Sequence, residues 1–454
     1  MSTTPYDLGT EKIGRLLARY AIPAIIAMAS MSLYNIIDSV FIGHAEGGGS
    51  MALAGLAIAM PLMNISAAFG SMVGIGTAAL ISINLGEGKR ERTFHVLGNQ
   101  VMLNVLVGGA LTALSLLFLD DILVLFGASG QTLPPAREFM QVIFIGITVN
   151  HLFWGLGEVM RASGYPQRAM AIMLLTVALT CAFNALFLFV LEWGVRGSAL
   201  ATVAAQMVGL GVEIIHFSSP KSFLHFRRGI FRMRRSIVSG IVSIGVAPFL
   251  VNFCASIVVV FVNRALAANG GDLFSGGYGV MNRVVMLFIM ICAGFNQGMQ
   301  PIVGFNYGAR NFGRVVAALR MTILWAVGVM TVAFLAGELI PERIAWLFVK
   351  RDDPYADELI RISAQAMRIV MLLFPIIGFQ VVTSSFFQYI GKARKAIVLS
   401  MTRQMLFLVP LLLVLPRSMG AMGVWVSFPI ADAVATLLAA VLLWRQLREF
   451  RRVV

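Results

Sequence analysis

YAIPAIIAMASMSLYNIIDSVFIGH, residues 20–44, decides the class of this protein. The stretch has no charged residue from Tyr20 to Met31, and its only charge is the carboxyl group of Asp38. About 20 mostly apolar residues form a helix long enough to cross the hydrocarbon core of a bilayer. The stretch therefore predicts a membrane-spanning helix that carries an acid.

The rest of the chain repeats this pattern of long apolar stretches. Hydrophobic residues make up 59% of the sequence and charged residues 12%, whereas soluble domains have about 45–50% and about 25%. An all-α membrane protein is predicted, with twelve spans at residues 16–42, 52–84, 94–119, 138–160, 169–191, 197–217, 236–263, 277–306, 315–339, 362–390, 396–415 and 421–444. The second and eighth spans are longer than a bilayer requires, so they should tilt or project beyond it.

The basic residues flank these spans and favour one side of the membrane. Most of them lie at the N-terminal segment, at every second connection and at the C-terminal end. Lys and Arg accumulate in cytoplasmic loops, so both termini are predicted in the cytoplasm, with the spans in contact with lipid. Nucleic-acid binding is excluded despite a net charge of +14, because the charges do not form one patch.

Four matches at nearly the same offset indicate an internal duplication. INLGEGKRER (83–92) aligns with FNYGARNFGR (305–314), and RASGYPQRAM (161–170) aligns with QYIGKARKAI (388–397). Gly194 and Gly197 align with two later glycines, and Pro23 aligns with Pro248. Each half contains six spans. Because six is an even number, both halves begin on the same side of the membrane and have the same orientation, as parallel repeats do. The predicted domains are lobe 1–217, a cytoplasmic linker 218–235 and lobe 236–454, with a cleft between the lobes for alternating access.

The first span carries candidate residues on one face. Met31, Tyr34, Asn35 and Asp38 recur at spacings of three and four, which places them on one side of a helix. Ionisable groups inside a membrane are costly and usually functional. Asp38 lies roughly 28 Å along the helix from Arg19, hence in the outer leaflet. It is predicted to take up protons or bind a cation; the alternative is a structural acid that braces a neighbouring helix.

Polar residues of the next spans add further candidates. Glu158 lies three residues before Arg161, and it either pairs with that arginine or attracts a cationic substrate. Thr180 and Asn184 share a face of the fifth span, and Thr202 lies in the sixth. Thr and Asn side chains often link membrane helices, so each of these three is either an ion-coupling ligand or a helix–helix contact.

The second half offers one charged pair and the chain offers no enzymatic motif. Arg403 and Asp432 lie in adjacent spans and are predicted to pair structurally, with a cleft-lining Asp432 as the alternative. The sequence has no GK[ST] phosphate loop, no HExxH and no Ser/His/Asp arrangement. An ATP-driven pump and an enzyme are therefore excluded, and neither a cofactor nor a metal site is predicted.

The chain resembles the multidrug and toxic compound extrusion (MATE) family, in its prokaryotic DNA-damage-inducible-F-like branch. The resemblance rests on LGTEKIGRLLARYAIPAIIAMASMSLYNIIDSVFIGH, RASGYPQRAM, WGVRGSALATVAAQ, YGVMNRVVMLFIMICAGFNQGMQPIVGFNYGARN and the repeat of six spans. It implies a monomeric antiporter of the bacterial inner membrane that exports amphipathic, often cationic compounds in exchange for H⁺ or Na⁺. It also implies that Asp38 is the coupling acid and that Tyr34 lines the pocket.

Two departures from the family pattern bear on the coupling ion. The branch often has an Asn and an Asp four residues apart on the fifth helix, where this chain has Thr180 and Asn184; the family's threonine is kept at Thr202. Glu158 stands where the family has an Asn, and it is a further candidate ion-coupling residue because it could restore a second acid to the pocket. A Na⁺ site at Asp38, Thr180, Asn184 and Thr202 would lack a second carboxylate, so H⁺ is the favoured ion.

Two other functions stay open from sequence alone. One is a flippase for a lipid-linked cell-envelope precursor, which needs a cationic cavity for its pyrophosphate group. The basic residues inside the spans that could line one all lie in the second half: Arg283, Arg320, Arg368 and Arg403. The other is a channel or a scaffold that transports nothing.

Overall fold

The computed structural model describes residues 7–44, 50–128, 130, 132–349 and 355–452. Inside these ranges, the side chains at 7, 35–40, 42–44, 50–55, 57 and 272 are outside the description.

Six long helices form the first half. They are α1 (Ile13–His44), α2 (Ser50–Gly86), α3 (Arg90–Leu117), α4 (Leu133–Ile145 and Ile147–Ala162), α5 (Pro166–Asn184, continued by a π-helix at Ala185–Val190) and α6 (Gly194–Ser218). Short helices at Asp7–Thr10 and Leu119–Leu125 precede α1 and follow α3.

Six helices form the second half in the same order. They are α7 (Arg235–Asn269), α8 (Gly271–Gly308), α9 (Phe312–Leu339), α10 (Ala356–Val370 and Phe374–Tyr389), α11 (Ala393–Met401, a π-helix at Thr402–Leu408, then Val409–Met419) and α12 (Ala421–Arg451). A short helix at Pro341–Trp346 follows α9.

Ten of the twelve helices α1–α12 are long and apolar enough to cross a membrane, and the other two, α4 and α10, qualify as bent pairs of helices. The prediction of an all-α membrane protein with twelve spans is confirmed.

The sequence did not predict two kinds of irregularity. Helix α4 bends by 53° near residue 146, and α10 bends by 57° near residue 372. Pro375 lies at the start of the second segment of α10, where a proline is tolerated because its missing N–H has no partner in a first turn. The fifth helix of each half also contains a π-helix, a feature that occurs often at functional sites. Bends and π-helices thus occur at corresponding places in both halves.

Helix α1 separates an outer apolar face from a buried face. Ile22 and Leu33 are exposed, whereas Tyr20, Ala27 and Tyr34 are buried. In a membrane protein the exposed apolar side faces lipid, so the buried side of α1 faces the interior of the helix bundle. This orientation agrees with the predicted polar stripe.

Glycines bring the two halves together at one end of the bundle. We call it the linker end, since residues 218–235 cover the start of α3 there: Arg227 pairs with Glu91. A Cβ on Gly86 would overlap the carbonyl oxygen of Phe305, and a Cβ on Gly308 would overlap that of Ile83. These contacts are reciprocal, because an offset of 222 maps Ile83 onto Phe305 and Gly86 onto Gly308.

Further along the same interface, Gly76 meets the backbone of α7 at Ile241, and Gly245 of α7 meets the backbone of α2 at Met72. We refer to Gly76, Gly86, Gly245 and Gly308 as the glycine seam. Backbones that approach this closely leave no space for side chains between the helices. The seam therefore joins the two halves, backbone against backbone, at the linker end.

Candidate functional site

Side chains from α1, α5 and α6 meet inside the first half. The Tyr34 hydroxyl lies 3.3 Å from the Thr202 hydroxyl, and the Asn184 side-chain amide donates to the Tyr34 oxygen at 3.5 Å. Asn184 and Tyr34 are buried and Thr202 is half-buried. Three sequence candidates that are far apart along the chain thus belong to one cluster.

Helix α1 carries the remaining candidates of the first span. Met31 is half-buried, one turn from Tyr34. The side chains of Asn35 and Asp38 lie outside the described residues, but the α1 backbone continues through both positions. Position 38 is about 6 Å beyond Tyr34 along the helix axis, on the side away from the linker end.

Helix α5 supplies neutral oxygens to this region. Thr180 is buried, and its hydroxyl donates to the Thr176 carbonyl at 2.7 Å. The regular part of α5 ends at Asn184, where the π-helix begins. Among the described residues, no group of three or more His, Cys, Asp or Glu side chains is placed to hold a metal ion.

Glu158 lies at a second place, near the end of α4 at the linker end. Its carboxylate pairs with Arg161 at 2.6 Å, and both side chains are 8% exposed. Gln297 of α8 donates to the same carboxylate at 3.4 Å, so α8 of the second half reaches it. The predicted pair with Arg161 is confirmed, and in this conformation the charge of Glu158 is balanced.

Sequence reasoning missed a set of buried polar residues on α4 and α6. Gln206 accepts a hydrogen bond from Asn150 at 3.3 Å, and Glu213 is buried two turns beyond Gln206. His151 bonds to the Ser66 carbonyl at 3.0 Å. Thr202, Gln206 and Glu213 recur at helical spacing in an otherwise apolar span, which is the signal that could have identified them.

The second half contains a buried ion pair at the π-helix of α11. Arg403 Nε lies 2.6 Å from the carboxylate of Asp432 on α12, and the Asp432 side chain is 4% exposed. The predicted pair is confirmed. Of the other basic residues in the spans, Arg368 pairs with Glu342, and two are exposed: Arg283 and Arg320. These four arginines do not converge on a cationic cavity, so the flippase function is not favoured.

The MatE family model matches residues 23–186 and again residues 244–414. The multidrug export protein MepA of Staphylococcus haemolyticus is 25% identical over 434 residues, which cover 94% of this chain and 93% of that protein. MepA of Staphylococcus aureus strain MSSA476 is 23% identical over 439 residues, which cover 97% of this chain and 95% of that protein.

Two solved structures share the fold over nearly the whole chain. A MATE structure in complex with MaL6 superposes with a TM-score of 0.93 at 23% identity and covers 99% of this chain and 100% of its own. An outward-facing conformation of a multidrug resistance MATE transporter gives a TM-score of 0.92 at 22% identity, with 100% of both chains covered.

Proposed function

Since this chain belongs to the MatE family of multidrug and toxic compound extrusion transporters, we propose that it exchanges protons for amphipathic, cationic compounds. Family membership makes the chain a multi-pass membrane transporter for multidrug efflux and not an enzyme. The coupling ion, the charge of the substrate and the mechanism are our proposals.

One observation carries the coupling proposal: the contacts that join Tyr34, Asn184 and Thr202. They connect three helices one turn from the position of Asp38. A carboxylate brought close to this cluster can exchange its hydrogen bonds when it gains or loses a proton. Protonation of Asp38 would thereby change how α1 packs on α5 and α6, and would remove the counter-charge of a bound cation.

The helix α5 residues favour H⁺ over Na⁺. Na⁺ is a hard cation that is held by several oxygen ligands, of which carboxylates bind best. Thr180 and Asn184 offer neutral oxygens only, so a Na⁺ site there would have no second carboxylate from α5. A proton needs only the carboxyl group of Asp38.

Alternating access would proceed by rocking of the predicted lobes, 1–217 and 236–454. The glycine seam supports this proposal, because it holds the two halves together at one end, in part through the reciprocal contacts of Gly86 and Gly308. We propose that the linker end is cytoplasmic, with both termini there, in the inner membrane of a bacterium. Each proton that enters would gain about 2.3 kcal/mol per 100 mV of membrane potential.

The protein would act as a monomer. Its substrate would bind beside α1, in contact with Met31, Tyr34 and Asn35. Opening of the linker end would loosen the pair between Glu158 and Arg161, and the freed Glu158 carboxylate would then attract a cationic substrate. A proton from outside would then neutralise Asp38 and release the substrate.

Ethidium exchange in proteoliposomes tests the coupling, with an imposed pH gradient or an imposed Na⁺ gradient. The wild-type chain should respond to the pH gradient, and Asp38→Asn should abolish that response because the amide cannot bind a proton. Asp120→Asn is the matched control, since Asp120 is half-exposed and pairs with Arg137 outside the site. Efflux by Asp38→Asn at the wild-type rate would remove Asp38 from the mechanism, and a response to Na⁺ alone would exclude proton coupling.

A further inference from the structure

Glu213 is a buried acid that forms no ion pair with any residue that the structure describes. It lies on α6, five residues before the helix ends at Ser218, and only 2% of the residue is exposed. In the described part of the chain, no basic group lies within 4.0 Å of its carboxylate, and its Oε2 atom has no hydrogen-bond partner. A buried carboxyl group in this state is costly when it is charged.

Glu213 faces the Glu158–Arg161 pair across Gly157 of α4. A point at the Cβ position of Gly157 lies 3.2 Å from Glu213 Oε1 and 4.0 Å from Arg161 Nη1. Arg161 in turn pairs with Glu158 at 2.6 Å. Two carboxyl groups therefore lie near one guanidinium group, and the three groups are neutral together only when one carboxyl group holds a proton.

The other charged and titratable groups near this cluster are already engaged. His216, one turn further along α6, bonds to Arg168 of α5 at 3.1 Å and packs its ring against Tyr165. The second half contributes Gln297 and the buried phenol group of Tyr389, which lies close enough to interact with Glu158 and Arg161; neither is a cation. No further cation from these neighbours balances Glu213.

Helix α6 connects this cluster to the coupling site. Thr202, Gln206, Gly209 and Glu213 follow one another at spacings of four, three and four on its inward face. Glu213 is therefore about 16 Å from Thr202 along the helix axis.

Each turn of this face has a polar neighbour on another helix. Thr202 contacts Tyr34, and Gln206 contacts Asn150. At Gly209 the missing side chain leaves space for the Thr176 hydroxyl group. Buried polar groups of this kind are commonly bridged by water, and a chain of such groups can conduct protons.

We infer that Glu213 is a second proton-binding site, through which the proton taken up at Asp38 leaves at the linker end. This inference rests on the proton coupling proposed above. The proton moves from the Asp38 carboxyl group along the inward face of α6 to the Glu213 carboxylate. When the seam opens, water reaches Glu213, and the carboxyl group loses the proton to that side and becomes a carboxylate.

Glu213→Gln tests this inference, because a glutamine has nearly the same shape as a protonated glutamate and cannot release a proton. Ethidium exchange is measured in proteoliposomes at a series of pH values on the linker side, with the pH on the other side held constant. We expect Glu213→Gln to exchange at least tenfold more slowly and to lose the dependence on linker-side pH, while its ethidium Kd and melting temperature stay at wild-type values. Glu213→Asp, which keeps a carboxyl group, should recover the pH dependence.

Glu91→Gln is the matched control, since Glu91 lies at the same end and its side chain is 81% exposed. Infrared difference spectra between high and low pH give a second readout: the protonated-carboxyl band should be smaller in Glu213→Gln than in the wild type, and Asp38 should account for what remains. If Glu213→Gln keeps the pH profile of the wild type and an unchanged carboxyl band, the inference is wrong, although proton coupling still holds. A wild-type protein that ignores the pH gradient would overturn both.

Discussion

Replacing Gly86 by alanine should shift the transporter away from the conformation closed at the linker end. The added Cβ would lie 2.8 Å from the carbonyl carbon of Phe305 and 2.9 Å from the amide nitrogen of Ala309, and would overlap the Phe305 oxygen. All these atoms are backbone atoms at the C-terminal end of α8, so they cannot move aside by a change of rotamer. The two helices must separate to admit the methyl group.

The size of the shift follows from this overlap. Carbon atoms in ordinary contact are about 3.5–4.0 Å apart, so α2 and α8 would have to move apart by roughly 0.7 Å or more. Overpacking of this kind costs about 1–3 kcal/mol. The cost applies only to the closed conformation, so the ratio of open to closed molecules should rise by a factor of about 5 to 150.

Thiol labelling measures this ratio. Ser82 is fully buried where α2 meets Gly304 of α8, so Ser82→Cys should react slowly with a water-soluble maleimide while the seam is closed. The three native cysteines, Cys181, Cys254 and Cys292, are first replaced by alanine. Adding Gly86→Ala should raise the labelling rate and slow the ethidium efflux.

Two further variants decide whether the reasoning holds. Gly308→Ala should have the same effect, because its Cβ would overlap the Ile83 carbonyl in the reciprocal contact. Gly109→Ala on α3 should have no effect, because nothing lies within 4 Å of its Cβ position. Labelling rates that do not change in Gly86→Ala and Gly308→Ala would refute closure by the seam.

Two further predictions concern the polar contacts of each half. Arg403→Leu leaves the buried Asp432 without its counter-charge, so the free energy of unfolding should fall by about 3–5 kcal/mol. Thermal melting in detergent measures this loss. The prediction is wrong if the double variant Arg403→Leu/Asp432→Leu melts at no higher a temperature than Arg403→Leu alone. Tyr34→Phe removes the hydroxyl that joins α1 to α5 and α6, so efflux should slow several-fold while stability changes by about 1 kcal/mol. Tyr355→Phe is the control, because Tyr355 is exposed. Equal efflux rates in Tyr34→Phe and Tyr355→Phe would count against a role of Tyr34 in transport.

The sequence alone determined the helices and their number. Twelve apolar stretches, the placement of the basic residues and the repeat at an offset near 225 predicted the fold class. These properties are local or periodic, because a membrane span must satisfy its own backbone hydrogen bonds and so depends on its own length and composition. Two pairings were also predictable: Glu158 with Arg161, at helical spacing, and Arg403 with Asp432, in adjacent helices.

Only the tertiary structure decided which polar groups meet. Tyr34 and Thr202 are 168 residues apart, and nothing local indicates that their hydroxyl groups lie 3.3 Å from each other. Glu213 resembles any acid near a helix end until the packing of α4 against α6 shows that it is buried beside a guanidinium group that already has a partner. The glycine seam likewise depends on close contact between backbones of different helices, and the distance between helices is set by packing that no single stretch encodes.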